Sequence, residues 1–424
     1  MLNNYFNNFK GFPKEIWILA TLTFINRAGT MVVPFLSKYM KEDLSFSYSQ
    51  IGWVMVFFGV GSIIGTWLSG KFIAKVGFYK TMAISLFAST VLFVVIERLR
   101  TFEALCVGVL LLTSFADMFR PAMLLSLNTY TKKENRTRAL SLVRSAINLG
   151  FLFGPAIGGL LIMNIGYKYL FYADAATCLL AVLIFITFIK EIKLPFKTKE
   201  NITGIRKRSK FEVFTDKSFV LHLIISMFSG ILFFQIFTTL PLYHKEFFHL
   251  PEIYTGLLLA LNGVIMLFFE LPIVTFFESK KVSKLKIISL GIVLMILGYV
   301  FLAIFEVKFV LVLMIVFVTF GAMLTFPFAN SFASTRSRIG LEAKYMTVFT
   351  MSYSFAHIFS AKMGMEIISV FGGIDGYRAN WIAMALIGMA ALLLNFLLTG
   401  ITKREKTNAN DKILDSLFFE NKDK

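Results

Sequence analysis

Several charged residues lie inside long apolar stretches of this sequence, and four of them stand out as candidates for chemistry. Arg27 directly follows Asn26, Asp117 and Arg120 share a second stretch, and Glu270 interrupts a third. A charge at the centre of a membrane helix costs about 2.5–3.5 kcal/mol on insertion scales, so such a residue faces a cavity or a partner. These residue types favour two kinds of chemistry: reversible protonation of a carboxyl group, and binding of an anionic group by arginine.

The two carboxylates have alternative partners. Asp117 and Arg120 are three positions apart, so on a helix they share a face and can neutralise one another. Alternatively, Asp117 takes up a proton and Arg120 finds another partner. Glu270 has no basic residue within four positions, which suits reversible protonation, and the alternative is an ion pair with Arg144. Arg144 could also extend to the headgroup interface. We treat Asp117 and Glu270 as candidate proton-coupling residues.

Further polar residues could contact a solute. Arg27 either faces a cavity, where it binds an anionic group or holds a carboxylate, or forms a structural ion pair. Lys362 and Glu366 are four positions apart and should neutralise one another. Asp174 is expected at the membrane interface. The candidate substrate-binding residues are Asn26, Arg27, Arg120, Gln235, Asn330 and His357.

Patterns typical of enzymes are absent from the sequence. It contains no serine–histidine arrangement, no H-E-x-x-H motif and no cluster of metal ligands among its four histidines. It also lacks the G-x(4)-G-K-[ST] loop that binds nucleotide phosphates. The sequence therefore predicts no catalytic residue, no cofactor, no bound metal and no ATP-driven step.

The elements that must position these residues are membrane helices. Of 424 residues, 57% are hydrophobic and 16% charged, against roughly 45–50% apolar and about 25% charged in soluble domains. The apolar residues fall in blocks of about twenty, enough for a helix to cross a hydrocarbon core of about 30 Å. The predicted spans are 15–38, 49–70, 81–97, 103–127, 139–163, 169–189, 218–243, 252–277, 286–306, 309–333, 345–370 and 380–401.

These spans predict an all-α integral membrane protein with two six-helix bundles. The bundles cover residues 1–189 and 218–401, joined by a cytoplasmic linker at 190–217 and followed by a cytoplasmic tail at 402–424. Lysine and arginine set the orientation. With the amino end in the cytoplasm, 31 of the 43 basic residues fall in cytoplasmic segments and 8 in external ones. This asymmetry follows the positive-inside rule and places both termini in the cytoplasm.

The net charge of +18 therefore reflects membrane topology, and we expect no nucleic-acid partner. Basic segments beside a membrane favour anionic lipid headgroups. The first apolar block is long enough to span, so the sequence shows no cleavable signal peptide. We expect a multi-pass protein of a bacterial inner (plasma) membrane.

The fifth span carries a glycine repeat. Gly150, Gly154 and Gly158 recur every four residues, which clears one helix face for close approach of another helix, and Pro155 permits a bend. Together with Gly159, the segment closely resembles the fifth-helix motif G-x(3)-G-P-x(2)-G-G of the major facilitator superfamily. The resemblance implies the twelve-helix fold of that family. It also implies drug/proton antiport, in which this motif helps to seal the closed state.

The loop after the second span resembles a second motif of this family, G-x(3)-D-[RK]-x-G-[RK]-[RK]. Gly70, Lys75 and Gly77 match it, whereas Ala74 replaces the acid and Phe78 the first basic residue. The family's charge relay therefore cannot operate here in its usual form. We expect the loop to anchor helices at the headgroups, with the gate built from other residues, among them Arg144.

Three functions are compatible with the sequence. The first is a monomeric, proton-coupled exporter of drug-like or amphipathic compounds, as the resemblance implies. The second is proton-coupled uptake of a peptide, sugar or organic anion, with Arg27 and Arg120 holding a carboxylate. The third is a receptor or intramembrane enzyme without transport activity. In the first two, the partners are a small solute, protons and membrane lipid.

Overall fold

The computed structural model describes residues 12–132, 135–192, 212–280, 282–337 and 341–420, and within these ranges the chain is helical. The helices of the amino-terminal half are Lys14–Ala28, Val32–Glu42, Tyr48–Arg98, Phe102–Ala116, Phe119–Tyr130, Arg136–Ile165 and Lys168–Phe188. Those of the carboxyl-terminal half, after a short 3-10 helix at Glu212–Thr215, are Lys217–Phe234, Thr239–Glu246, Glu252–Ser279, Lys284–Ile304, Lys308–Arg336, Glu342–Phe371 and Gly373–Glu420.

The described helices account for the twelve predicted spans. Ten helical stretches are long and apolar enough to cross a membrane. One of them, Tyr48–Arg98, has 51 residues and breaks at Gly77, whose φ of 85° a residue with a side chain rarely adopts. The parts on either side, 48–76 and 78–98, are spans two and three. The 30-residue helix Glu342–Phe371, less apolar because of residues such as Lys362, completes the set. The predicted all-helical fold is confirmed.

Spans one, four and seven are each made of two helices separated by a short break. The breaks follow Ala28, Ala116 and Phe234. At each of them the regular backbone hydrogen bonds stop, so free amide and carbonyl groups need other partners. Within a membrane, such irregular backbone is tolerated only inside the protein or beside a water-filled cavity.

The apolar side chains form three cores whose distribution differs between the two sides of the membrane. In the external half, one core joins both bundles, with Tyr39 and Met55 from the first and Tyr243, Tyr299 and Trp381 from the second. In the cytoplasmic half, each bundle has a separate core. Among the described residues, both bundles therefore share one buried apolar core on the external side and have separate cores on the cytoplasmic side.

Two helix pairs hold the bundles together: span five with span eight, and span two with span eleven. Glycine allows backbone-to-backbone approach in the first pair. A Cβ atom on Gly256 would lie 2.3 Å from the carbonyl oxygen of Pro155, and one on Gly263 would lie 2.6 Å from the amide nitrogen of Leu152. In the second pair, a Cβ on Gly59 would lie 2.2 Å from the side chain of Ile358. No larger residue fits at these positions without moving a helix.

Two of the predicted boundaries need comment. Residues 193–211, most of the predicted linker, lie outside the described residues. The last helix continues to Glu420, past the predicted end of the twelfth span at 401.

Gly256→Ala should lower the thermal stability of the purified protein, because the added methyl group meets a backbone oxygen that cannot move alone. Overpacking of this kind costs about 1–3 kcal/mol. Gly70→Ala is the matched control, since no atom lies within 4 Å of the position its Cβ would occupy. We expect the control to melt at or slightly above the parent temperature. Equal melting temperatures for the two variants would contradict the close packing of spans five and eight.

Candidate functional site

The predicted site residues Arg27, Asp117 and Gln235 all lie at the breaks in spans one, four and seven. Arg27 is in the last turn of the first helix of its span. Asp117 and Gln235 each occupy the position that ends the first helix of theirs. Membrane carriers commonly place their solute sites at such discontinuous helices near the midplane. Each of these three residues therefore lies where a membrane helix is interrupted.

Arg27, Asp117 and Arg120 are brought together from two spans. Arg27 interacts electrostatically with both Asp117 and Arg120. Arg120 is exposed, and Arg27 and Asp117 are half-buried together with Asn26. No ion pair joins Asp117 to Arg120 among the described residues. The mutual neutralisation considered from their spacing is therefore not what this conformation shows.

Glu270 forms a contact between the two bundles. Its carboxylate accepts a hydrogen bond from the side-chain amide of Asn148 at 3.2 Å, linking span eight to span five. Arg144 lines the same small cavity, of about 30 Å³, but makes no ion pair with Glu270 within the described part of the chain. A space of this size is large enough for a water molecule. The carboxylate is thus held by a neutral group at the bundle interface.

The glycines of span five face two different helices. A Cβ on Gly150 would lie 2.4 Å from the Cβ of Arg27, and one on Gly154 would lie 2.9 Å from the carbonyl oxygen of Ala28. Gly158 packs near Phe35, and a Cβ on Gly159 would lie 2.7 Å from the carbonyl oxygen of Glu252 in span eight. The motif therefore packs span five against the break in span one and against the opposite bundle.

Two other predicted substrate residues have fixed or peripheral positions. Gln235 is fully buried and its amide is used within the protein. It donates to the carbonyl oxygen of Ser360 at 2.9 Å and accepts from Thr239 and, at 3.3 Å, from Asn380. Gln235 therefore supports the break in span seven. Asn330 is exposed in the cytoplasmic half of span ten.

His357 lies between aromatic rings from both bundles. Its imidazole stacks on Phe58 of span two at 4.9 Å between ring centroids and meets the edge of Phe234 of span seven at 4.8 Å. The ring is nearly buried, and its Nδ1 has no hydrogen-bond partner among the described atoms. The buried Nδ1 of His357 is therefore a polar atom that no described group satisfies.

The loop between spans two and three matches its predicted role only in part. Gly77 is required for the backbone reversal, because its φ is positive. Gly70 has open space around it, and Lys75 is exposed. These residues make no contact with the opposite bundle that the described structure shows.

The sequence prediction missed a group of charges that joins the bundles on the external side. We call Lys38, Glu42, Lys245 and Glu252 the external charge cluster. Lys38 of span one is fully buried, with its Nζ 3.7 Å from a carboxylate oxygen of Glu252 and hydrogen-bonded to Thr255 at 3.3 Å. Lys245 lies 2.7 Å from Glu252 and 3.9 Å from Glu42. The charge asymmetry predicts that Lys38 and Lys245 lie on the external side, but it does not predict that they join the bundles. The available signal was the apolar surroundings of Lys38, between Leu36 and Met40.

Other polar contacts reinforce this external closure. The hydroxyls of Tyr48 and Tyr377 both donate to Glu246, joining spans two, seven and twelve. Lys362 and Glu366 pair as predicted, and Ser49 of span two donates to the same carboxylate at 2.7 Å. Several independent polar contacts thus cross between the bundles at this end.

Asp174 corrects one expectation from the sequence. Predicted at the interface, it is fully buried. Its two carboxylate oxygens accept hydrogen bonds from the backbone amides of Met31 and Val32, both at 3.0 Å. The residue satisfies the free amides that begin the second helix of span one, where a negative charge also complements the helix dipole.

Removal of the buried charge in Lys38→Met should loosen the external closure. Breaking a buried ion pair costs about 3–5 kcal/mol. Because this ion pair joins the bundles on the external side, its loss should destabilise the conformation that is closed to the outside. Positions 103 and 375 are both exposed, on the external side of opposite bundles. Spin labels at these two positions should then show a population with a longer label-to-label distance by double electron–electron resonance. Glu252→Gln should do the same.

Glu306→Gln is the control for this experiment. It removes an exposed ion pair with Arg378 inside one bundle, so we expect the parental distance distribution. Parental distances in both Lys38→Met and Glu252→Gln would refute a closing role for the external charge cluster.

Comparison with known proteins agrees with this architecture. The chain is 27% identical to the MFS-type transporter YuxJ of Bacillus subtilis over 234 residues, and covers 58% of it. It is 24% identical to YqjV of the same organism over 398 residues, which is 90% of this chain and 92% of that protein. Multidrug resistance protein 1 of B. subtilis is 27% identical over 239 residues, 56% of this chain and 60% of that relative. The chain thus spans about three fifths of the first and third of these relatives.

Among solved structures, a peptide transporter POT superposes with a TM-score of 0.77 at 15% identity, over 93% of this chain and 96% of that one. This likeness shows the fold. Residues 16–361 match the family profile described as Major Facilitator Superfamily, which is more than half of the chain. The chain therefore belongs to the major facilitator superfamily, a family of secondary membrane transporters and not of enzymes.

Proposed function

We propose that this transporter exports amphipathic, drug-like compounds from a bacterial cell in exchange for protons. The observation that carries the proposal is Glu270. Its carboxylate lies at the contact between the bundles, bonded to the neutral amide of Asn148 and without a basic partner among the described residues. We assign the proton-coupling role to this carboxylate because a change in its charge would alter a contact that joins the two bundles.

The conformation suits an exporter that collects solute from the cytoplasm. The external side is closed by a shared apolar core and by the external charge cluster. On the cytoplasmic side the bundles have separate cores, and the cavity beside Glu270 belongs to that half. In this state, a proton leaving Glu270 enters the cytoplasm as the solute arrives. Antiport requires this order, because the proton and solute must move in opposite directions.

Two further findings favour export. The glycines of span five pack against both span one and span eight, as expected of a motif that seals one side of the carrier. The name of one relative, multidrug resistance protein 1, also indicates this direction, although the alignment covers only part of that protein.

Uptake of an organic anion is the second candidate function. Arg27 and Arg120 are available for it, because no described carboxylate forms an ion pair with either arginine. In that case, solute and proton would enter the cell together. The two functions differ in the direction of flux under one imposed gradient.

Glu270→Gln should abolish solute-driven proton movement, because glutamine cannot exchange a proton but keeps the size of the side chain. Proteoliposomes containing trapped pyranine report this movement. Three naphthalene probes are added in turn: naphthalene-2-sulfonate, 2-naphthamide and trimethyl(naphthalen-2-ylmethyl)ammonium. We expect solute-driven proton flux to fall to the level of protein-free liposomes, while probe binding persists.

Glu103→Gln is the matched control, since Glu103 is exposed on the external side. It should retain the parental flux. Asp117→Asn tests the second predicted proton-coupling residue in the same way. Normal proton flux in Glu270→Gln would rule out this coupling scheme. A parent protein that moves protons with none of the three probes would count against the proposed substrates.

Everted membrane vesicles with an acidic interior separate export from uptake. An exporter that exchanges solute for protons should accumulate the transported probe inside these vesicles, since the interior corresponds to the outside of the cell. A proton-coupled uptake system should deplete it. The membrane potential is clamped with valinomycin and potassium. Depletion would favour the second candidate function.

A further inference from the structure

A group of aromatic rings crosses the contact between the bundles. We call it the central aromatic surface, and it consists of Phe58, Phe151, Phe233, Phe234, Phe237 and Phe326. These residues come from spans two, five, seven and ten, so both bundles contribute. The ring of Phe151 lies 6.3 Å from that of Phe237 across the bundle interface. Phe233 contacts Phe237 at 5.7 Å and Phe326 at 5.1 Å.

These rings are packed but not fully covered. All six are half-buried, in contrast to the fully buried side chains of the external core such as Trp381 and Tyr299. Five of them pack against the inner edge of that core. Each of the six rings therefore keeps some uncovered area at or near the contact between the bundles. A planar apolar group could stack there, which adds about 0.5–1.5 kcal/mol per aromatic pair beyond simple burial.

Three arginines that form no ion pair with a described residue lie on spans one, four and five. A Cβ atom on Gly150, the immediate neighbour of Phe151 in span five, would lie 2.4 Å from the Cβ of Arg27. Arg120 interacts with Arg27, and Arg144 lines the cavity one turn of span five away from Asn148. Two carboxylates, Asp117 and Glu270, stand against these three arginines, so the sum of these five charges is positive.

We propose that the transported solute is an aromatic organic anion, with its ring on the central aromatic surface and its acidic group at Arg27. This inference rests on the proposed function and names the substrate class of the same site. A guanidinium group matches a carboxylate or sulfonate with two parallel hydrogen bonds. The free Nδ1 of His357, between Phe58 and Phe234, adds one hydrogen bond for a polar substituent of the ring.

The same arrangement disfavours cationic aromatic compounds. Stacking alone would accept a cation and an anion with the same ring equally well. Arg27 and Arg120 discriminate, because a cation placed on the rings would be repelled by both arginines and would leave them unpaired. Specificity of this kind comes from repulsion of the wrong ligand as much as from attraction of the right one.

The test is binding of matched probes to the full-length protein in lipid nanodiscs by isothermal titration calorimetry. Naphthalene-2-sulfonate should bind about tenfold or more tightly than trimethyl(naphthalen-2-ylmethyl)ammonium, the factor for one charge-assisted hydrogen bond. Cyclohexanesulfonate, which has the charge without the aromatic ring, should bind more weakly than the naphthalene anion. Arg27→Gln should remove the preference for the anion, and Phe237→Leu should weaken both naphthalene probes.

Two control variants guard against general effects. Lys80→Gln removes an exposed positive charge of the cytoplasmic loop, and Phe268→Leu removes an exposed ring of span eight. Both should bind all probes as the parent does. Equal or tighter binding of the cation, or an unchanged anion preference in folded Arg27→Gln protein, would overturn the inference. Because binding is measured without a gradient, this outcome is independent of whether Glu270 couples protons.

Discussion

The close approach of spans five and eight is the contact on which the rest of the structure depends. Gly256 and Gly263 meet the backbone of residues 152–155, and Gly159 meets the backbone of span eight in return. Lipid chains are as apolar as leucine, so packing of small residues, and not the hydrophobic effect, brings membrane helices together. This contact fixes Glu270 within hydrogen-bond distance of Asn148. Span five also packs Gly150 against Arg27 of span one. The candidate proton site and the candidate anion site are thus both positioned by one glycine-lined helix.

The external charge cluster has a different role from the glycine contacts. Glycine packing determines which surfaces can meet, whereas the pairing of Lys38 and Lys245 with Glu252 determines that they meet at this end. Lys38 and Glu252 are buried, and buried charges are poor sources of net stability, since desolvation offsets their attraction. Their value lies in specificity, because the same residues must find water or other partners when the bundles separate there. We therefore expect the cluster to favour the conformation that is closed to the outside.

The sequence predicted much of the fold and less of the site. Span number, orientation and the glycine face follow from hydropathy, charge asymmetry and spacing, each of which acts locally along the chain. Charged or amide side chains inside apolar blocks stand out, which is why the sequence pointed to Arg27, Asp117 and Gln235; the structure places all three at breaks in membrane helices. The sequence could not show that the side-chain amide of Gln235 is hydrogen-bonded within the protein. It also could not show that Asp174 accepts hydrogen bonds from the first backbone amides of the second helix of span one. Those roles depend on partners 125 and 143 positions away, which local spacing does not reveal.

The unequal division of the apolar cores bears on the energy of the transport cycle. Opening the outside would wet the single core that joins the bundles there, including Tyr39 and Trp381. Closing the inside would meanwhile dry the facing edges of the two separate cores. The free-energy difference between the two states is then a small remainder of two large and opposite hydration changes. A remainder of a few kcal/mol is within reach of one bound solute or one transferred proton, so the carrier can be reset by either without unfolding any helix.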